Sequence, residues 1–400
     1  MRKVFEMVVC RLGVFFFLLI PGVLFSQIKT GLDVLKERGF DLIEGKKVAL
    51  VVNHTARDAS GRHLVDLLLD GKKMMVTRIF APEHGFDGTA EGAVADGVYR
   101  GIPIVSLYGK EARPRPELLA NADVVLFDLQ DAGARYYTYL ATLAYTLEAA
   151  REAQRKVIVL DRPNPAGGIV VSGFVPPAEL TGRFTSIYPI PTRHGMTIGE
   201  IARLFNEHFG IGALLEVVPM KGWKRTMLWR DTGLPWVPPS PNLKTPEAVV
   251  LYAEMGWLEA ANISVGRGTD EPFFMYGAPF VDGERLAAVL RKSLPQAISV
   301  DPIAFTPRDP AHRYFGRKCG GVRVRAYDLN ADLFGVGLTM LRTLFMLFPD
   351  FAPTADFALS MGREGVDKRL KKGEAVKNIL TEAAADCRRF REIRKRYLLY

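Results

Sequence analysis

The sequence predicts an α/β protein: a Rossmann-like, doubly wound parallel sheet followed by a second, smaller α+β domain. Three observations lead there. Short, continuously apolar runs recur through the first 165 residues, helical stretches separate them, and polar clusters follow the runs at their carboxyl ends. Apolar strands that alternate with helices belong to a parallel sheet covered on both faces. With 400 residues, 48% of them hydrophobic, the chain has the material for a large core and for two or three domains.

Residues 1–26 come first. Arg2, Lys3 and Arg11 precede an apolar run from Leu12 to Phe25, broken by Pro21 and ending at Ser26. This pattern predicts a secretory signal peptide and an exported protein, periplasmic or secreted. The run falls short of the roughly 20 apolar residues that span a bilayer, and no later segment reaches that length, so no stable membrane anchor is expected. Loss of three basic residues and one acidic residue takes the formal charge from +9 to +7. In an exported protein, such a balance suits an anionic envelope polysaccharide better than nucleic acid. Cys319 and Cys387 remain, too few for a disulfide framework and without metal-ligand spacing.

Strands are predicted at 46–53, 74–80, 102–107, 123–128 and 156–160, with helices at 61–70 and 134–153. These form the core, 45–165, of a catalytic domain assigned to 27–280. Ligands of open parallel sheets bind beyond the carboxyl ends of the strands. Four polar clusters stand there: Asn53 with His54, Glu83 with His84, the segment 128–135, and Arg162 with Asn164. The first strand-to-helix turn has no GxGxxG pattern and the chain has no P-loop, so no nucleotide cofactor is expected.

Beyond a Gly/Pro-rich linker at 165–191, a helix is predicted at 197–209 after Arg193 and His194. A Pro-, Trp- and Ser-rich loop over 229–246 carries Ser240 and Asn242. A strand at 260–265 leads to Arg267. From 281 to 400 the smaller α+β domain is expected to close a cleft, with helices at 283–292 and 331–348, a strand at 321–325 and a basic helical tail at 376–397.

Two segments carry the chemistry. Glu83 lies at a strand end turned by Pro82 and Gly85 beside aromatic residues, where desolvation favours a general acid. Asp128, Gln130, Asp131, Arg135, Tyr136 and Tyr139 follow the fourth strand, and helical spacing predicts one face shared by Arg135, Tyr136 and Tyr139. Asp131 also fits a helix N-cap. The histidines lack zinc spacing and no GxSxG elbow occurs, which leaves acid/base chemistry by carboxylates and no metal.

Read together, these landmarks resemble the exo-β-N-acetylmuramidases of the NamZ type, long known only as a domain of unknown function. They are Gly31-Leu32-Asp33, the Pro-Glu-His-Gly segment at Glu83, 128–139, Asp161-Arg162-Pro163-Asn164-Pro165, 193–200, Pro239-Ser240-Pro241-Asn242, 266–269 and Tyr397-Leu398-Leu399-Tyr400. Asp87 and Lys244 depart from the pattern, standing where a basic residue and a proline are expected. The resemblance implies removal of terminal β-linked N-acetylmuramic acid from the non-reducing end of peptidoglycan fragments, such as muropeptides and the N-acetylmuramyl–N-acetylglucosamine disaccharide. It also implies a site between two domains, with Glu83 as the acid.

A lactyl carboxylate calls for an arginine, and Arg135, Arg193 and Arg267 are the candidates. Asp128 is the candidate second group, orienting the 2-acetamido group; activation of a water is the other route. A noncatalytic muropeptide binder is the alternative reading, motivated by the charge and by Trp223, Trp229 and Trp236.

Overall fold

The computed structural model describes residues 27–109 and 111–400, so the predicted signal peptide lies outside the described residues. Among the described residues, ten strands form two sheets. Seven belong to the first: β1 (Lys47–Val52), β2 (Met75–Ala81), β3 (Gly97–Tyr99), β4 (Ile102–Ser106), β5 (Val124–Asp128), β6 (Lys156–Leu160) and β7 (Leu215–Val218). Their order is β3-β4-β2-β1-β5-β6-β7, and all neighbours are parallel except β3 and β4. β1 and β5 are buried along nearly their whole length, as strands covered by helices on both faces must be. Chain order runs outward from β1 toward β2 on one side and toward β5 on the other, which makes the β1/β5 neighbourhood the topological switch point.

A smaller antiparallel sheet contains β8 (Met275–Ala278), β9 (Ile298–Phe305) and β10 (Cys319–Ala326) in the order β8-β10-β9. Its helices include Gly283–Ser293 and Leu333–Leu347. Pro302 sits in β9, an edge strand, where a missing N–H costs no ladder bond. β8 comes before residue 281, so this sheet begins earlier in the chain than the expected division at 280. The predicted strand at 260–265 is absent. A 3-10 turn, Gly256–Ala260, runs into isolated bridges from Ala261 to Pro353 and from Ser264 to Gly277, so the apolar run is a buried turn. Cys319 and Cys387 are each buried and unpaired. Among the described residues, no helix is long and apolar enough to cross a membrane.

Several sequence landmarks act as scaffold. Thr197 caps the helix Ile198–Arg203 reciprocally with Glu200. Asp161, fully buried at the end of β6, accepts hydrogen bonds from the Gly199 amide, the Thr197 hydroxyl and the Tyr400 hydroxyl, each at 2.8 Å. Gly31 must be glycine, because a Cβ there would come within 2.3 Å of the Asp161 amide. Two distant segments, 197–199 and Tyr400, are therefore tied to one carboxyl group, which burial pushes up to about 7. Tyr400→Phe removes a donor from that group and the acceptor of the Met220 amide, now 2.7 Å away. Its expected effect is a loss of about 1–3 kcal/mol in urea unfolding.

Candidate active site

A cavity of about 310 Å³ lies over the switch point. One wall comes from strand ends: Glu83 and His84 after β2, Tyr108 after β4, and Tyr136, Tyr137 and Thr138 after β5. The rest of the lining includes Ser240, Tyr252, Trp257, Glu259, Arg267, Phe273 and Glu91.

The chain turns sharply to present Glu83. β2 ends at Ala81, Gly85 donates to the Pro82 carbonyl at 3.0 Å, and His84 and Gly85 take positive φ angles of 72° and 77°. The His84 ring nitrogen lies 2.8 Å from the Ala90 carbonyl, which holds the loop in that shape. The Thr138 hydroxyl donates to Glu83 Oε2 at 2.5 Å. Behind it, the Tyr139 hydroxyl accepts from Asn53 Nδ2 at 2.7 Å and faces the Pro239 and Glu83 carbonyls at 3.0 and 3.2 Å. Burial, reinforced by a hydrogen bond to Glu83, pushes the Tyr108 phenol up to about 12, so it stays a neutral donor at any ordinary pH.

Arg267 is the cavity's arginine. Its Nε lies 2.8 Å from Glu259 Oε1 and its guanidinium sits 5.7 Å from the centre of the Phe273 ring. Burial opposes its charge, but Glu259 and the neighbouring acids outweigh that and hold its pKa above the ordinary value. Burial likewise raises the Glu259 carboxyl, against the pull of Arg267. Among the described residues, no group accepts a hydrogen bond from the two terminal amino groups of Arg267, which leaves them free for an anionic ligand.

Of the residues predicted from sequence, Glu83, His84, Tyr136, Ser240 and Arg267 line this cavity. Asn53 and Tyr139 brace it from behind. The shared helix face is corrected: the helix starts at Tyr139 (Tyr139–Glu152), because Gly133 at φ 74° and a bridge between Ala134 and Arg193 hold 134–138 as turns. Those turns bring Tyr137 and Thr138 to the cavity and send Arg135 away from it.

Asp128 is also corrected as the second catalytic group. It is fully buried, off the cavity wall, and both its oxygens are gripped by Arg162, the Nη2 contact being 2.8 Å. A carboxylate held that way has no open lone pair facing a sugar. Two arginine candidates fall for the same reason. Arg135 is buried and donates to Ser186 and to the carbonyls of Leu359 and Ser360. Arg193 pairs with Glu254 at 2.9 Å, both of them fully buried.

The remaining polar candidates serve loops. Gln130 donates to the carbonyls of Asp131 and Pro163, and Asp131 accepts from the Gly133 amide at 2.7 Å with His194 3.4 Å away. Asn164 donates to the Met196 carbonyl. His54 sits 2.8 Å from the Pro238 carbonyl, its pKa lowered by burial, and packs where a side chain on Gly88 would collide with its ring. Asn242 donates to Glu91 Oε1. Tyr108, Thr138, Glu91 and Glu259 were missed. Position alone could have found Tyr108, which directly follows a predicted strand end.

Comparison with known proteins decides the family. Residues 48–247 match the model of the N-terminal part of exo-β-N-acetylmuramidase NamZ, and residues 250–400 match that of its C-terminal part. The chain belongs to the NamZ family. It is 38% identical over 382 residues to the peptidoglycan β-N-acetylmuramidase NamZ of Bacillus subtilis (strain 168), covering 94% of this chain and 92% of that protein. Two DUF1343 family proteins from Bacteroides fragilis NCTC 9343 share the fold, with TM-scores of 0.86 and 0.78 at 33% and 30% identity, each covering 94% of this chain and 99% of theirs. In this NamZ chain the cavity draws on both matched parts: Glu83, Tyr108, Thr138 and Ser240 come from the first, Tyr252, Glu259 and Arg267 from the second.

Proposed function

We propose that this protein is an exported exo-β-N-acetylmuramidase that removes the terminal, non-reducing β-1,4-linked N-acetylmuramic acid from peptidoglycan fragments. Family membership carries the reaction class. The observation that carries the site is one cavity holding Glu83 beside the free terminal amino groups of Arg267.

Glycoside hydrolysis needs a proton for the leaving oxygen and negative charge near the oxocarbenium-like centre. Glu83 delivers the proton to the bridging oxygen as the C1–O bond breaks, water supplies the hydroxyl that ends on C1, and the proton that this water gives up passes to solvent, from which Glu83 is reprotonated. Thr138 holds the Glu83 carboxyl in place. Glu91 and Glu259, which line the same cavity, supply negative potential. Arg267 takes the lactyl carboxylate in a bidentate contact, which distinguishes muramic acid from N-acetylglucosamine. The basic residue 27–400 region and the amino-terminal pattern of residues 1–26 support action in the periplasm or outside the cell.

The aromatic motive for a noncatalytic binder weakens, since Trp223 and Trp229 are buried and Trp229 packs edge-on against Trp236. Calorimetry with the N-acetylmuramyl–N-acetylglucosamine disaccharide, combined with assay of free sugar, separates the two readings. An enzyme releases N-acetylmuramic acid, whereas a binder retains the disaccharide intact.

A further inference from the structure

A second cavity, wider at about 610 Å³, adjoins the first, and Glu91 lines both. Buried Met275 and Phe305 lie among its lining residues, giving it an apolar patch. Its lining carries Lys244, Arg308 and Arg323 together with the carboxylates of Glu91, Asp270, Glu271 and Asp309. Arg323 is neutralised by Glu271. Lys244 Nζ donates to the Thr269 carbonyl at 2.9 Å, and among the described residues neither Lys244 nor Arg308 has a carboxylate within ion-pair distance. Glu91, at the junction, is held by Asn242 and by His312 Nε2 at 3.2 Å. Lys244 follows Asn242 on one loop and Arg308 precedes His312 on another, so the Glu91 contacts also tie together the two loops that carry the cations.

An apolar patch for a sugar face, Lys244 and Arg308 outside ion-pair distance of the Asp270 and Asp309 carboxylates that share the lining, and a lining residue, Glu91, in common with the first cavity fit a carboxylate-bearing glycan. We infer that this groove receives the leaving portion of the substrate. N-Acetylglucosamine lies next to the cleavage point against Met275 and Phe305, and a carboxylate farther along the chain reaches Lys244 and Arg308. The inference rests on the muramidase reading of the first cavity. The carboxylate has two sources, the lactyl group of the next muramic acid or a stem peptide attached to it.

The test compares the wild type with the double variant Lys244→Ala, Arg308→Ala. Its substrates are 4-nitrophenyl β-N-acetylmuramide, the peptide-free tetrasaccharide of two disaccharide repeats, and that tetrasaccharide with a stem peptide on its internal muramic acid. The expected result is that kcat/KM for a tetrasaccharide, relative to the aryl muramide, falls about tenfold in the variant, as loss of two charge-assisted contacts on a solvated rim implies. A fall with the peptide-free chain identifies the lactyl group, and a fall confined to the peptide-bearing chain identifies the peptide. An unchanged ratio for both overturns the inference. Calorimetric Kd values for the same tetrasaccharides, measured in the Glu83→Gln background, read the groove without turnover. If the wild type releases no sugar from any substrate, the muramidase reading fails, while a Kd weakened about tenfold by the two substitutions still supports the groove and an unchanged Kd overturns it.

Discussion

Glu83→Gln lowers kcat on the N-acetylmuramyl–N-acetylglucosamine disaccharide by about 10²- to 10⁴-fold, the range over which a positioned general acid acts. Glutamine keeps the shape of the side chain and its carbonyl oxygen still accepts from Thr138, so the loop over 82–90 and the cavity keep their form. What disappears is the transferable proton. The loss therefore depends on the leaving group. A sugar alkoxide is a poor leaving group without protonation, whereas 4-nitrophenolate departs unaided, so the aryl muramide should lose far less rate than the disaccharide. KM should change little, because the missing interaction develops as the bond breaks. Steady-state kinetics on both substrates check this, and equal losses on the two would argue for a structural Glu83.

Arg267→Ala acts on recognition. Removing one partner of a desolvated, hydrogen-bonded charge pair costs about 2–5 kcal/mol, which is a fall in kcat/KM of at least about 30-fold for muramides. Glu259, now 2.8 Å from Arg267 Nε, would then face the lactyl carboxylate without a cation between them. The effect should be selective: the corresponding N-acetylglucosaminide, which has no lactyl group, gains relative to the muramide. Arg267→Lys should restore only part of the rate, since an ammonium is a point charge without the planar fork. The ratio of the two kcat/KM values reads this directly, and a parallel loss on both sugars would remove Arg267 from carboxylate recognition.

The central strands β1, β5 and β6 were legible because their interiors are buried on both faces and so appear as unbroken apolar runs, whereas β2, interrupted by Thr77 and Arg78, and the half-buried β4 were legible from their β-branched residues. β3 is three residues at a sheet edge and β7 is four residues carrying Glu216, too short and too polar to stand out. The run at 260–265 misled in the opposite sense, since a buried turn and a buried strand use the same residues.

In the site, the place of Glu83 at the cavity was legible from a general rule, its position at the carboxyl end of a parallel strand beside a forced turn, while its choice as the acid came from the family resemblance. Arg162, Arg193 and Arg267 look alike in one dimension. Only the fold shows that the first two close buried ion pairs with Asp128 and Glu254 while the third faces a cavity. Glu259 reaches the cavity through tertiary packing, 176 residues after Glu83, and Glu91 follows Glu83 by eight residues in irregular chain, so no local spacing marks either.

The claim that one cavity removes terminal muramic acid by means of Glu83 is tested most directly by mass spectrometry of products from a peptidoglycan tetrasaccharide labelled at its reducing end. The wild type is expected to release single N-acetylmuramic acid and leave a labelled chain one sugar shorter, with the Glu83→Gln variant leaving the substrate intact over the same period. Internal disaccharide fragments from the wild type, or equal release of free sugar by the variant, would contradict it.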